Sequence, residues 1–277
     1  MEINQLAQVL ACTLDPNLRI EAERQLNEFY KMPRFVSQLL QVVMSTEVQQ
    51  PLRQAGGIYL KNMISQCWRD RDEKNCVDSE MPFVISSEDK SLIRNHIIDA
   101  IIHSPELIRI QLTVCIGKIL TYDFPEHWPT APQSIHNYLA SDNQASWFGA
   151  LIALYQIVKK YEFKKAEQRT ILHDTMKLFL PLMYQRCASL MQDQSQAATE
   201  IKKMVIKTLF AVFQYHLPTD VITEQNLPSW MQLYQAIVDQ PVPEECTQLE
   251  EDEREKSSWW KLKKWAIHSM CRLFERY

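Results

Sequence analysis

Side chains capable of chemistry are present, but they do not assemble into a catalytic pattern. His96 and His103 stand seven apart, near enough to share a helix face, yet no carboxylate or cysteine is placed to complete a tetrahedral metal site with them. The seven cysteines, Cys12, Cys67, Cys76, Cys115, Cys187, Cys246 and Cys271, include no Cys-x-x-Cys pair and fall mostly on apolar helical faces, so free thiols in a reducing compartment are expected. Gly56, Gly57, Gly117 and Gly149 give neither P-loop nor dinucleotide-binding spacing. No serine or cysteine sits in a nucleophile elbow. The expectation is a protein that works by binding, with no catalytic residue, no metal and no cofactor.

Two stretches stand out as places to bind. Pro51 to Asn62 opens a helix that continues to Trp68. On a helical wheel Leu52, Ala55, Gly56, Tyr59, Met63 and Cys67 fall within one apolar arc. Gly57, Lys61, Ile64 and Trp68 form a second stripe at i, i+4, i+7 and i+11, combining a small residue, a cation and an indole. A helix used on two sides is expected in stacked repeats. The second stretch is acidic: Glu244, Glu245, Glu250, Glu251, Asp252, Glu253 and Glu255 are interrupted only by Arg254 among charged residues. It reads either as a solvated loop or as a clamp for a basic partner surface, with Glu250, Glu251, Asp252 and Glu253 at its centre. Directly after it, Lys261, Lys264, His268 and Arg272 make a basic stripe opposite Trp259, Leu262, Ala266, Met270 and Leu273, which also suits an answer to the acidic loop within the molecule.

The elements that must position these stretches are helices. With four glycines in 277 residues, all inside apolar periodic segments, the turns of a β-sandwich or doubly wound sheet cannot be supplied. Thirty basic against thirty-four acidic residues give a net charge of −4, without the basic footprint of bulk nucleic-acid binding. No signal peptide opens the chain, and no apolar run approaches the ~18 residues of a membrane span, so a soluble intracellular chain is expected, with no direct nucleic-acid contact and no membrane insertion. Helical periodicity, broken by Asp15-Pro16, Pro33, Ser104-Pro105 and Phe124 to Pro129, yields about twelve helices whose pairs begin about 45 residues apart. Asp15 is expected to cap the second helix, with Pro16 at its first position. The fold class is all-α: a right-handed α-solenoid of about six HEAT-type antiparallel helix pairs. Trp259, Trp265, Met270, Leu273 and Phe274 on the last helix await a downstream partner, so the chain reads as the front part of a longer solenoid or as one whose end another element covers.

Three segments together resemble a known family. Ala22-Glu-Arg-Gln-Leu26, followed by Pro51-Leu-Arg-Gln and Leu60-Lys-Asn62, is similar to the N-terminal domain of importin-β-type nuclear transport receptors, the karyopherins. Asp123-Phe-Pro-Glu-His-Trp-Pro129 resembles their inter-repeat Asp-aromatic-Pro-x-x-Trp-Pro motif. Trp259-Trp-Lys-Leu-Lys-Lys-Trp-Ala266, Ala145-Ser-Trp-Phe-Gly149 and Tyr161-Glu-Phe-Lys-Lys-Ala-Glu167 look like the importin 7 / importin 8 subfamily. Gly56 and Gly57 stand where relatives usually carry alanines.

The resemblance implies importin N-terminal repeats over 1–103 and further repeats of one continuous solenoid over 104–277. It implies binding of the GTPase Ran in its GTP form, passage through pores lined with Phe-Gly nucleoporins by way of the outer helices of the fifth and sixth pairs, protein cargo with basic segments, importin β as a further partner, and shuttling between cytoplasm and nucleus. Carried over by motif position, Arg53, Gln54, Leu60, Lys61 and Asn62 are the signature of the GTPase-binding domain, with Arg53 and Leu60 close to or within the core arc. The candidate Ran-binding set is Arg53, Gln54, Gly57, Lys61, Asn62, Ile64 and Trp68, and Lys61 and Trp68 are the contacts expected from the wheel. An export receptor and a HEAT scaffold without Ran binding are the competing readings.

Overall fold

Each helix pair starts from a local signal and closes by burying one stripe. Ser86 accepts the amide of Asp89 (3.1 Å) at the start of α5 (Ser87–His103), and Asn143 and Ser195 do the same for α8 (Gln144–Tyr161) and α10 (Gln196–Phe213), meeting amides that have no partner within their own helix. The computed structural model describes residues 3–69 and 83–276. Among the described residues it is helical without strands, and its helices form two packing units, 1–131 and 132–277.

The first unit contains α1 (Ile3–Cys12), α2 (Arg19–Phe29), α3 (Phe35–Met44), α4 (Gln50–Cys67), α5 and α6 (Glu106–Asp123). α1 pairs with α2, α3 with α4 and α5 with α6. The first members α1, α3 and α5 pack in one row and the second members α4 and α6 lie against each other. Between the rows Leu6, Leu10, Phe35, Leu39, Val43, Leu60, Ile64, Ile97, Ile101, Leu112 and Ile116 are buried. The α3 start shows how neighbouring pairs cooperate. Arg34 before it adopts a left-handed conformation (φ 62°) and provides no side-chain cap. The buried Asp89 of the next pair supplies it instead, accepting the Ser37 amide at 3.0 Å.

The second unit contains α7 (Ala131–Ala140), which starts at the boundary, α8, a 3-10 turn at Ala166–Gln168, α9 (Thr170–Ser189), α10, α11 (Leu227–Asp239), two single turns α12 (Glu244–Thr247) and α13 (Glu251–Arg254), and α14 (Ser258–Arg276). α10 is its centre, packing on α8, α9 and above all α14, which also holds α11.

The packing units divide at 131/132, and α5 and α6 form one pair within the first. Several expectations change. Asp15 does not cap α2: its carboxylate accepts the Asn17 amide (2.8 Å) and its carbonyl those of Leu18 and Arg19, closing a separate turn before the helix begins. Trp259 and Leu273, expected to await a partner, are buried, and Trp265 lies against Phe210 of α10 at 5.2 Å between ring centroids, whereas Phe274 stays exposed. The acidic stretch is not wholly a loop, since α12 and α13 interrupt it. Cys76 lies outside the described residues.

Candidate partner-binding surface

The second stripe of α4 meets a neighbouring helix of its own unit. α6 packs along it in parallel. A methyl group built on Gly57 would sit 3.6 Å from Gln111 Cβ and 4.0 Å from Ile108 Cγ2. One turn on, the Lys61 charge acts on Cys115, whose thiol burial pushes up to about 12 while Lys61 pulls the other way. Two turns further, Trp68 Nε1 donates to Asp123 Oδ1 at 3.1 Å. The buried face of α4 is therefore Arg53, Gly56, Gly57, Leu60, Met63 and Ile64, while Leu52, Ala55, Tyr59 and Cys67 are only half-buried: the inward arc is rotated from the expected one toward the second stripe.

Four of the expected contacts are turned into the unit. Trp68, 2% exposed, is held by Asp123, with Lys90 Nζ 5.9 Å from its ring centroid; Ile64 is fully buried. Gly57 is covered by α6. Arg53 is buried and its Nε donates to Val43 O (2.8 Å), satisfying a carbonyl in the last turn of α3.

Gln54, Lys61 and Asn62 do reach the surface, Asn62 fully and the other two half-buried. Ile58, 40% exposed, lies among them and was missed; its position one turn after Gln54 and one before Asn62 was the available signal. Across the seam α6 turns Leu107, Ile110 and Val114 outward, at 50%, 52% and 41% exposure, followed by the exposed Lys118. Both helices bury the opposite side against the first-member row, so their exposed faces share one side of the seam. The result is an apolar strip with lysines at one end, suited to a partner offering apolar side chains beside a carboxylate. At the α4 terminus a cleft of about 410 Å³ is lined by Trp68, Arg69, Lys90, Thr121, Asp123 and His127.

In the second unit Glu250, Glu251, Asp252 and Glu253 are exposed. Arg254 holds their loop from within, donating to Leu249 O (2.8 Å) and Thr247 O (2.9 Å). The candidate residues on α4 and these acids fall in different units. Among the described residues no group of three or more His, Cys, Asp or Glu could hold a metal ion, and no helix is long and apolar enough to cross a membrane.

Residues 22–103 match the importin-beta N-terminal domain. Over all 277 residues the chain is 44% identical to importin-8 of Mus musculus, and it spans 27% of that protein's length. Among solved structures it is similar to the exportin Cse1 in its cargo-free, cytoplasmic state (TM-score 0.77, 20% identity, 95% of this chain and 28% of that one) and to yeast importin-beta (TM-score 0.66, 17% identity, 100% of this chain and 30% of that one). Both are HEAT α-solenoids in fold class, as the helix pairs here are. The chain carries an importin-β N-terminal domain and is, over its whole length, an importin 7/8-like N-terminal portion of the importin-β superfamily.

Proposed function

We propose that this chain is the Ran-binding part of a nuclear import receptor, which takes the GTPase in its GTP form on the exposed faces of α4 and α6. The observation that supports the reading is the unpartnered strip of Ile58, Leu107, Ile110 and Val114 beside Lys61 and Lys118, on and directly after the stretch that matches the importin-beta N-terminal domain. Gln54, Lys61 and Asn62 are the sequence-derived contacts that remain accessible. The mechanism is binding without bond chemistry: GTP-Ran on this surface displaces protein cargo. Carrying basic cargo, binding importin β and shuttling through pores belong to the same reading, with Phe-Gly side chains taken on outward residues such as Ile171 and Leu178 of α9.

The test is capture of purified Ran loaded with GTP or GDP by the full chain. GTP-Ran is retained and GDP-Ran is not, and Lys61→Glu weakens retention while the helical circular dichroism is unchanged. Equal capture of both forms, or of neither, sinks the proposal. An unchanged affinity for Lys61→Glu removes that residue from the site.

A further inference from the structure

A second surface, within the 132–277 unit, brings together charges from three helices. α10 contributes Lys203 and Lys207 to a groove of about 630 Å³ whose other wall is Trp260, Lys261, Lys264 and Trp265 of α14; Glu251, Arg254 and Glu255, on and just after α13, form its rim. Five cations and two carboxylates line it, in a chain whose net charge is −4. Two of the cations are occupied: Lys203 pairs with Glu200 (2.6 Å), and Arg254 holds the carbonyls of its own loop. Among the described residues no ion pair within 4 Å engages Lys207, Lys261 or Lys264, nor Glu251 or Glu255. Lys207 instead lies 4.7 Å from the Tyr155 ring centroid. Burial, then the neighbouring Lys203 and Lys159, hold its pKa below the ordinary lysine value, against the pull of Glu162. Three ammonium groups and two carboxylates thus line one groove together with two indoles. Trp265 is set by Phe210, and Trp260 by its Nε1 bond to Cys246 O (3.2 Å).

We propose that this groove binds an acidic peptide segment, whose carboxylates engage Lys207, Lys261 and Lys264 while an apolar side chain lies on Trp260 and Trp265, and that Glu251 and Glu255 act as a built-in competitor at its rim. A mixed acidic and apolar peptide fits better than a nucleic acid. The indoles call for apolar side chains between the charges, and a uniform polyanion would have to pass Glu250, Glu251, Asp252 and Glu255, which form one acidic surface beside the groove.

The experiment is fluorescence anisotropy on the full chain with a fluorescein-labelled peptide of alternating Glu and Phe. The controls are its Gln/Phe counterpart and a labelled single-stranded oligonucleotide. The Glu/Phe peptide binds in a salt-sensitive way and the Gln/Phe peptide does not. Losing two surface-strength pairs in the double variant Lys207→Gln, Lys261→Gln weakens binding about three- to thirtyfold. Glu251→Gln with Glu255→Gln tightens it about two- to fivefold, a gain that misfolding cannot imitate. Should the half-buried Lys207 variant not fold, the exposed Lys264→Glu carries the same test. Equal binding of the two peptides, lysine variants that bind unchanged, or tighter binding of the oligonucleotide through the same lysines overturns the proposal.

Discussion

Asp123, the first residue of the Asp-aromatic-Pro-x-x-Trp-Pro stretch, ties three helices of the first unit together, and its removal has a calculable cost. Its carboxylate accepts from Trp68 Nε1 at the end of α4 (3.1 Å) and from Arg94 Nη1 on α5 (2.8 Å). Its carbonyl, at the end of α6, accepts the amides of His127 (2.7 Å) and Trp128 (2.9 Å). Asp123→Ala leaves the Trp68 N–H buried without an acceptor, which costs about 1–3 kcal/mol. It also leaves Arg94 without its carboxylate; breaking a buried pair costs about 3–5 kcal/mol. The Arg94 side chain is 19% exposed against 8% for Asp123 and recovers some hydration, so the two losses together come to about 3–5 kcal/mol. Asp123→Asn keeps an acceptor for Trp68 but sets an amide NH2 against Arg94 where Oδ2 stood, so it recovers only the indole's share of the loss, about 1–3 kcal/mol, and not that of the guanidinium. Urea unfolding of the full chain followed by circular dichroism measures both, and a cycle with Arg94→Met isolates the pair. An Asp123→Ala protein within about 0.5 kcal/mol of the parent, the range of an ordinary surface change, refutes the tie. An Asp123→Asn protein as unstable as the alanine variant refutes the division between indole and guanidinium.

The two α4 glycines should respond oppositely. Gly57→Ala meets only ordinary contacts on α6 and gains about 0.5–1 kcal/mol of helix stability, whereas a methyl at Gly56 comes within 3.3 Å of Leu10 and Val43, so Gly56→Ala loses that gain or destabilises; thermal melts of the two variants decide. Burial pushes the Cys115 and Cys187 thiols up to about 12, so the folded state keeps their protons longer than the unfolded chain does. The stability this contributes is complete below pH 9 and is lost as pH rises from 9 toward 12, and at pH 8 iodoacetamide labels the exposed Cys271 while sparing both, as mass spectrometry of the native protein will read. Arg186→Met forfeits bonds to Leu139 O (3.0 Å), Ala140 O (2.7 Å) and Ser141 O (3.1 Å) and a guanidinium 4.1 Å from the Trp147 ring centroid, lowering the stability of the second unit by about 2–3 kcal/mol; a loss under about 0.5 kcal/mol in urea unfolding counts against the cap.

The helices were legible because each one buries a stripe, and a buried stripe leaves a 3.6-residue period in the sequence. Ser86, Asn143 and Ser195 each cap within three residues of themselves, which is the kind of signal a sequence carries locally. What lies across the seam was not legible. The wheel placed Trp68 off the core, and within α4 that is correct. The group that buries it, Asp123, arrives only with α6, and periodicity holds no record of which helix comes to lie alongside. The same blindness hid the groove of the second unit, whose lysines on α10 and α14 are separated by more than a repeat. The family motifs conveyed the fold, but they did not distinguish residues that hold it from residues that face outward: Arg53 and Lys61 belong to one motif, and only the first is spent on a neighbouring helix.

That distinction follows a rule within both units. The last turns of α3, α5, α7, α9 and α11, or the residues just beyond them, each receive a cation from a neighbouring helix: Arg53 to Val43 O, Arg109 to Ile101 and Ser104 O, Arg186 to the carbonyls from Leu139 to Ser141, Lys202 to Leu190 and Asp193 O, and Lys263 to Val238 and Gln240 O. A helix C-terminus carries carbonyls without partners and a partial negative charge, and packing a second helix against it removes the water that would otherwise serve it. A basic side chain reaching from that second helix answers both needs and also sets how the two helices meet. Burial lowers the pKa of Lys202 and Lys263, yet each ammonium keeps two carbonyl partners, so these charges are committed to the stack. Subtracting them separates the basic residues by role. Lys61 and Lys118 remain on the α4 and α6 faces, and Lys207, Lys261 and Lys264 remain around the indole groove. Within a repeat of this kind a cation that answers no helix end, and pairs with no carboxylate, is the one to test for a partner.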